Sequence, residues 1–491
     1  MSTTANETEL GRPQFFINNE WVAPAGGELH DAIDAATEEV IAVAAMATEA
    51  DMDAAVRAAR DAFDRGPWPR MTLQERSAAL HRFADELEKR SDFTAQLVTR
   101  EIGTTIGMST ILNGQAPAMQ IRYYADLVLD VELEKVQPSM FGSTIVRKEP
   151  LGVAAVIVPW NYPHSIAMFN VAPALAAGCT VVLKPSPETA LDSYVLADAA
   201  RDAGLPAGVL NIVLGGREAG AALVSHPGVD KVAFTGSTEA GRKVGEAAGR
   251  GLKHVILELG GKSASIVLED ASMETFYAGI GASSFMNNSQ TCTTASRVLA
   301  PRSRYDDVVE TLKTWCTDQV IGDPFDPAVT MGPMASKHHL ARINEHIEAA
   351  RQTSARLITG GGRPAGLDRG WYVEPTIFAD VDNGDRLARE EVFGPVIAVI
   401  PYDDEVEALR LANDSDFGLG GVVWSADEQH AIEVARQIRT GAVGINYWGL
   451  DMNAPFGGVK ASGVGRELGS VGLDNYFEYK SIYASADLLN G

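Results

Sequence analysis

The sequence predicts an α/β protein of two or three domains, and three observations carry the prediction. At 491 residues the chain is too long for a single compact core. From residue 150 onward, short β-branched runs alternate with helical stretches, the pattern of a parallel sheet covered on both faces. A glycine turn, "FTGSTEAG" (234–241), joins one of these runs to the helix after it, as at the ligand edge of open α/β sheets.

Taken in order, the N-terminal stretch "FFINNEWVAPAGGELHDAIDAATEEVIAVAAMA" alternates short apolar runs with turn residues and reads as small strands. Residues 48–103 space alanine and leucine by three and four, with "GPWP" as a breaker, and read as helices. Then come the strands "GVAAVIVPW", "TVVLKP", "VLNIVLGG", "KVAFTGS" and "HVILELGG", separated by helices over 165–177, 187–203, 217–225 and 238–249. Right-handed crossovers make this a doubly wound, Rossmann-type domain. A second alternation starts after Gly261 with "SASIVLED", a helix to about 287, "SRVLAP" and a helix over 303–318. It resumes with "GPVIAVIPY", "GGVVWSA" and "GAVGIN", with helices over 404–413 and 427–438, and gives a second α/β domain. No internal repeat or low-complexity segment interrupts it.

Composition excludes several function classes. A formal net charge of −24 repels phosphate backbones and anionic headgroups, so neither nucleic acid nor a membrane surface is expected as a partner. The N-terminus "MSTTANETEL" lacks a basic patch followed by an apolar stretch, and the run at 152–160 is too short to cross a bilayer. A cytoplasmic protein is expected. Three cysteines without a CxxC pair support neither a disulfide framework nor a zinc site, so no metal is expected. Cys179 in "LAAGCTVVL" and Cys316 in "TLKTWCTDQ" read as structural.

The third cysteine is different. Cys292 stands in "NNSQTCTTASR", among small polar residues, where a thiol placed for packing would prefer apolar neighbours. It reads as a nucleophile, a metal ligand or an incidental thiol. Four further residues, Asn161, Lys184, Ser237 and Glu258, fall at the carboxyl ends of predicted strands, the edge where ligands bind. Asn161 in "VPWNYP" is a candidate oxyanion donor, and Lys184 in "TVVLKPSPE" a candidate nucleotide contact. Gly236 permits a tight turn, with Ser237 behind it at the start of a helix whose free N–H groups suit an anion. Glu258 in "LELGGKS" is a candidate general base, its pKa tuned by burial.

Together, "PWNYP", "LKPSPET", "FTGSTEAG", "LELGGKS", "SQTC", "EEVFGPV" and "PFGGVKASGVGRELG" resemble the aldehyde dehydrogenase superfamily, in the family's order and over residues 159–469. The resemblance implies an NAD(P)-binding domain over 1–124 and 148–259 and a catalytic domain over 260–461. A small β oligomerisation element over 125–147 and 473–491 would serve a homodimer or homotetramer. It makes Cys292 the nucleophile and Glu258 the base that activates water for thioester hydrolysis. Asn161 would help hold the oxyanion, and Glu467 would take part in a proton relay. Polar neighbours then fit a cysteine that must be reachable and partly ionised.

For the cofactor, the resemblance implies Trp160 as part of the wall, Lys184 at the adenosine ribose, and Gly236 and Ser237 at the diphosphate. Glu391 and Phe393 would hold the nicotinamide ribose. Tyr162, Phe169, Trp448, Met452 and Phe456 would line the access tunnel, favouring a hydrophobic or aromatic aldehyde.

There are three departures from the family pattern. Ser289 takes the glycine slot of NxGQxC, which predicts a stiffer loop. Asn170 stands where many members have lysine, and this bears on the Glu467 relay. Pro187 takes the glutamate slot of KPxE, with Glu188 one place later. NAD is therefore the expected cofactor, with NADP possible and discrimination between them weakened. The alternatives are a coenzyme A-acylating dehydrogenase and a cysteine-dependent hydrolase with a histidine base, His164 being the histidine nearest a motif.

Overall fold

A computed structural model describes residues 12–485. The outermost parts of two predicted segments, residues 1–11 and 486–491, lie outside the described residues. Two open sheets dominate the architecture. The first holds five parallel strands in the spatial order His254–Glu258, Lys231–Thr235, Val153–Ile157, Thr180–Lys184 and Leu210–Ile212. Antiparallel edges close it, Gly463–Val464 on one side and Phe15–Ile17 with Glu20–Val22 on the other. The chain starts at the central Val153–Ile157, winds one way through two strands, then reverses to Lys231–Thr235. That reversal opens a crevice at the carboxyl ends of the strands.

Helices cover both faces of this sheet, which explains why Val153–Ile157 and Thr180–Lys184 are buried along their whole length. The helix Pro163–Ala177 is buried on every side. It is apolar all round because it lies between the sheet and the helices Leu73–Glu88 and Ala116–Leu127. Pro163 opens it at the position where a missing N–H costs nothing.

The second sheet runs Arg356–Thr359, Thr376–Ala379, Val396–Tyr402, Arg297–Pro301, Ala264–Val267, Gly421–Trp424 and Gly444–Ile445, parallel except for its first member. The link between the two sheets is the short "LGGKS" segment after Glu258. A third sheet of Phe477–Ala484, Gly142–Pro150 and Glu134–Ser139 is antiparallel and largely exposed.

The differences from the sequence reading have local causes. The helix expected over 187–203 starts as a separate turn, Pro187–Thr189, before Asp192–Asp202. The break occurs where the Leu191 N–H donates to the buried Glu101 carboxylate instead of a helical carbonyl. Residues 125–127 continue the preceding helix, and the exposed hairpin runs from Glu134 to Pro150 rather than ending at 147. The helix Lys337–Arg351 and the strands at 356–359 and 376–379 fall where the sequence was left unassigned. The two strands are only four residues each, too short for a periodicity to register. Among the described residues no helix is long and apolar enough to cross a membrane, and no cluster of three His, Cys, Asp or Glu could hold a metal ion.

One buried cation fastens the second sheet to its loops. Arg297, 1% exposed, donates to the Lys262, Leu411 and Ala412 carbonyls and to Asn383 Oδ1, at 2.8–3.1 Å. Arg297→Met would fill similar volume and leave those acceptors without donors. A loss of about 3–5 kcal/mol in unfolding free energy by urea titration is expected; a loss below about 1 kcal/mol would show that water replaces the guanidinium.

Candidate active site

The Cys292 loop is built from an unusual backbone. After the helix Met273–Ser284, residues Asn287, Asn288 and Ser289 adopt φ of 53°, 57° and 60° in succession. This left-handed run turns the chain back toward the carboxyl edge of the first sheet. It explains the family's glycine at position 289, since a serine there is strained by about 1–2 kcal/mol. The Ser289 hydroxyl offsets part of that by donating to the Ser284 carbonyl at 2.7 Å. Amide side chains pin the rest. Asn287 Nδ2 donates to the Asn161 carbonyl (2.9 Å), Asn288 Nδ2 to the Pro333 carbonyl (3.1 Å), and Gln290 Oε1 accepts from the Ala335 N–H (2.9 Å). The polar residues around Cys292 therefore hold the loop's shape.

That corrects the expectation of a partly ionised thiol. Cys292 is half-buried, and its thiol is pushed well above the usual range by burial first, then by the carboxylates of Glu391, Glu258 and Glu467. Its own backbone N–H pulls weakly the other way. The surroundings of Cys292 thus favour the neutral thiol.

Asn161, on the turn after Val153–Ile157, donates Nδ2 to the Gln290 carbonyl at 3.0 Å. Gln290 stands two residues before Cys292, and the second N–H of the Asn161 amide remains free. Glu258 ends its strand 3% exposed, with neither carboxylate oxygen hydrogen-bonded. Burial and the neighbouring Glu467 push its pKa well up, against the pull of Arg466. A Cβ on Gly457 would stand 2.5 Å from Glu258 Oε1, which is why the "PFGG" turn needs glycine here. Glu467 itself is buried and held near 7, raised by burial and lowered by the Asn170 amide and Lys231.

The cofactor candidates cluster around the crevice. Lys184 Nζ donates to the Pro185 and Gly215 carbonyls at 2.9 and 2.7 Å, which leaves a third N–H available. Burial lowers its ammonium to about 8 while Glu188 holds it up. Glu188 is exposed and accepts from the Ser186 hydroxyl, so it folds back along its own turn. Gly236 does not need a positive φ. Its requirement is space, because a Cβ would meet the Phe234 ring at 2.7 Å. Ser237 caps the helix Thr238–Arg250, accepting from the Ala240 N–H at 3.3 Å. Glu391 accepts from the Gly261 N–H at 2.8 Å and is raised to about 7 by burial. Phe393, at φ 62°, meets Trp160 edge-on at 5.4 Å.

Of the tunnel candidates, Tyr162, Phe169, Met452 and Phe456 pack on the same apolar cluster as Cys292. The Tyr162 hydroxyl bonds Thr291 Oγ1 at 2.6 Å. Trp448 packs elsewhere, on the core of the second sheet, where a Cβ on Gly420 would stand 3.0 Å from its Cη2.

Sequence reasoning missed His339. It donates to, or accepts from, neither sulfur nor carboxylate; its Nε2 donates to the Phe393 carbonyl at 2.7 Å and its ring packs on Trp160 at 5.2 Å. Tyr123 was also missed; it packs on the Cys292 cluster from the helix Ala116–Leu127. Neither lies in a motif, and only the packing of remote helices brings them in. His164 is buried against the Asp192 carbonyl at 2.9 Å, bound to the loop after Lys184.

A profile of the aldehyde dehydrogenase family matches residues 21–482. Geranial dehydrogenase of Castellaniella defragrans is 49% identical, over 96% of this chain and 99% of the relative. An aldehyde dehydrogenase of Mycobacterium tuberculosis, solved with NAD+, superimposes at a TM-score of 0.94 with 42% identity, over 96% of this chain and 98% of that one. A mutant of aldehyde dehydrogenase C from Pseudomonas syringae, solved with NAD+ and octanal, gives 0.93 with 38% identity, over 96% of each chain. With the site's geometry beside these likenesses, the chain belongs to the aldehyde dehydrogenase family and is an NAD(P)-dependent aldehyde dehydrogenase.

Proposed function

We propose that the protein oxidises apolar aldehydes to carboxylic acids with NAD+, through a thiohemiacetal and then a thioester on Cys292. The observation that carries this reading is the convergence on one loop of a half-buried thiol, a pinned amide with a free N–H, and a buried carboxylate without partners. The thiol adds to the aldehyde carbonyl, its proton leaving to a neighbouring base, and the oxyanion is held by Asn161 Nδ2 and the Cys292 N–H. NAD+ in the crevice would supply the hydride acceptor. Lys184, Trp160, Glu391, Phe393 and the Gly236–Ser237 turn would hold it there. Glu258 then takes a proton from water, hydroxide attacks the thioester carbonyl, and the C–S bond breaks.

Tyr162, Phe169, Met452 and Phe456 support an apolar substrate, as do the geranial named for one relative and the octanal bound to another. Glu258 beside the nucleophile supports water rather than coenzyme A as the acyl acceptor. A hydrolase reading lacks a base, since His164 and His339 are engaged with backbone carbonyls away from the thiol. We also propose that the third sheet, with Met140, Phe141 and Tyr483 80–90% or more exposed at its end, joins copies of this chain. A monomer by light scattering would overturn that.

A paired experiment tests the chemistry. Cys292→Ala should lose octanal oxidation while still binding NAD+. Glu258→Gln should give a first-turnover burst of NADH and then stall with an acyl group on Cys292, visible as added mass on the intact protein. Turnover surviving in Cys292→Ala, or unchanged in Glu258→Gln at neutral pH, removes the corresponding role. Because burial and the neighbouring Glu467 hold Glu258 well above the ordinary carboxylate range, the acid limb of wild-type steady-state turnover should lie above that range, with turnover rising with pH as the base becomes ionised.

The cofactor preference follows from the ribose end. Lys184 serves a hydroxyl or a 2′-phosphate equally, Pro187 repels neither, and Glu188 turns back on Ser186. NAD+ should be preferred by well under about a thousandfold in kcat/KM over NADP+, roughly 4 kcal/mol, and Glu188→Gln should change the ratio only modestly. A larger preference would mean that a carboxylate does guard the ribose.

A further inference from the structure

Behind Glu258 lies a buried polar string that the chemistry above leaves unused. Tyr476 donates its hydroxyl to Asn170 Oδ1 at 2.8 Å, which orients the amide so that Nδ2 donates to Glu467 Oε1 at 2.6 Å. Lys231 lies over the face of the same tyrosine, Nζ 4.6 Å from the ring centroid, and donates to the Asn475 carbonyl at 2.9 Å. All four side chains are 2% exposed or less.

Lys231 opens the strand Lys231–Thr235, and Thr235 at its far end pairs with Glu258. Four residues of strand, about 13 Å, therefore separate the backbone of Lys231 from that of Thr235 beside Glu258. The groups that face Glu467 are Glu258, Cys292, Tyr124, Tyr476 and Lys231, and Cys179 adjoins Lys231. Among these, Lys231 is the cation that acts on Glu467, while Arg466, next to Glu467 in the chain, acts on Glu258. Two carboxyls buried side by side cannot both ionise without one.

We propose that Lys231 is a positioning residue for thioester hydrolysis, supplying the counter-charge that keeps Glu467 an ionised acceptor for the proton Glu258 takes from water. Water gives its proton to Glu258, Glu258 passes it to Glu467, and the departing Cys292 thiolate takes it back. Atoms and charge balance as thioester plus water to acid plus thiol. Asn170 can orient Glu467 but carries no charge, so that task falls on the strand lysine. The sign follows: removing Lys231 makes the carboxyl pair hold its proton to higher pH, so the base form is lost earlier as pH falls. The inference rests on Glu258 being the base.

The test is burst and steady-state NADH formation by the full-length enzyme, with NAD+ and octanal, across a pH series. Lys231→Met should keep the burst, while the acid limb of the steady-state phase moves up by about 1–3 pH units and acyl-enzyme accumulates at neutral pH. Lys231→Arg should keep the limb near the wild-type position, and Asn170→Lys added to Lys231→Met should bring it back. Lost packing alone would lower rates without moving the limb. An unmoved limb in folded Lys231→Met, or no return in the double variant, overturns the proposal. If Lys231→Met does not fold, Asn170→Lys alone must move the limb down, and an unmoved limb there overturns it equally. Normal turnover in Glu258→Gln would instead defeat the reading of the base, so the two failures are distinguishable.

Discussion

The site depends on the close approach of two glycines to groups from elsewhere in the chain. Gly260 and Gly261 form the link between the two sheets. A Cβ on Gly261 would stand 2.2 Å from the Cys292 carbonyl oxygen, and one on Gly260 2.5 Å from Glu391 Oε2. Only a bare backbone lets the second sheet's loops come this near the carboxyl end of the first. The Gly261 N–H then also serves Glu391 directly. How closely Cys292, Glu258 and Glu391 stand together follows from how tightly this link is drawn.

With that approach comes an electrostatic problem. Glu258 and Glu467 are buried and Glu391 half-buried around one thiol, and all three are raised above the ordinary carboxylate range, as the thiol is above its own. Each group has given up hydration for position. The buried lysines Lys184, Lys231 and Lys262 are lowered instead, to about 8, 8 and 7. Small changes of charge in such a dry place have large effects, which suits a site that must ionise in sequence as its ligands arrive. It also explains the density of side-chain amides around Cys292, since amides fix geometry without adding charge.

The chain departs from its family's pattern at positions 170, 187 and 289, and in each case a neighbour offers related chemistry. At 289 a hydroxyl bond to Ser284 offsets the strain of a left-handed serine. At 187 the carboxylate reappears as Glu188, turned away on its own 3₁₀ turn but still acting on Lys184. At 170 an amide replaces charge, and the charge stands on a neighbouring strand instead. The constraint preserved is the local balance of charge and hydrogen bonds.

Much of the fold was legible because its signals are local. Apolar runs of five residues between helices report a buried parallel strand, and the residues at the end of each run fall at the ligand edge; Asn161, Lys184, Ser237 and Glu258 were readable that way. The paired stretches 356–359 and 376–379 were too short to register, and the hairpin end at Pro150 needed its partner strand at 477–484. The roles of individual groups were less legible. That Trp448 turns into the other core, that His339 supports Trp160 and Phe393, and that the surroundings of Cys292 favour the neutral thiol all depend on burial and Coulomb energy between residues far apart in sequence. Asn170 meets Glu467 across 297 positions. Sequence alone determined which chemical groups the protein owns and on which strand ends they stand, because turn chemistry and periodicity act over a few residues. Tertiary structure alone decided which of them share an environment and which proton each one holds, because desolvation and charge act through space.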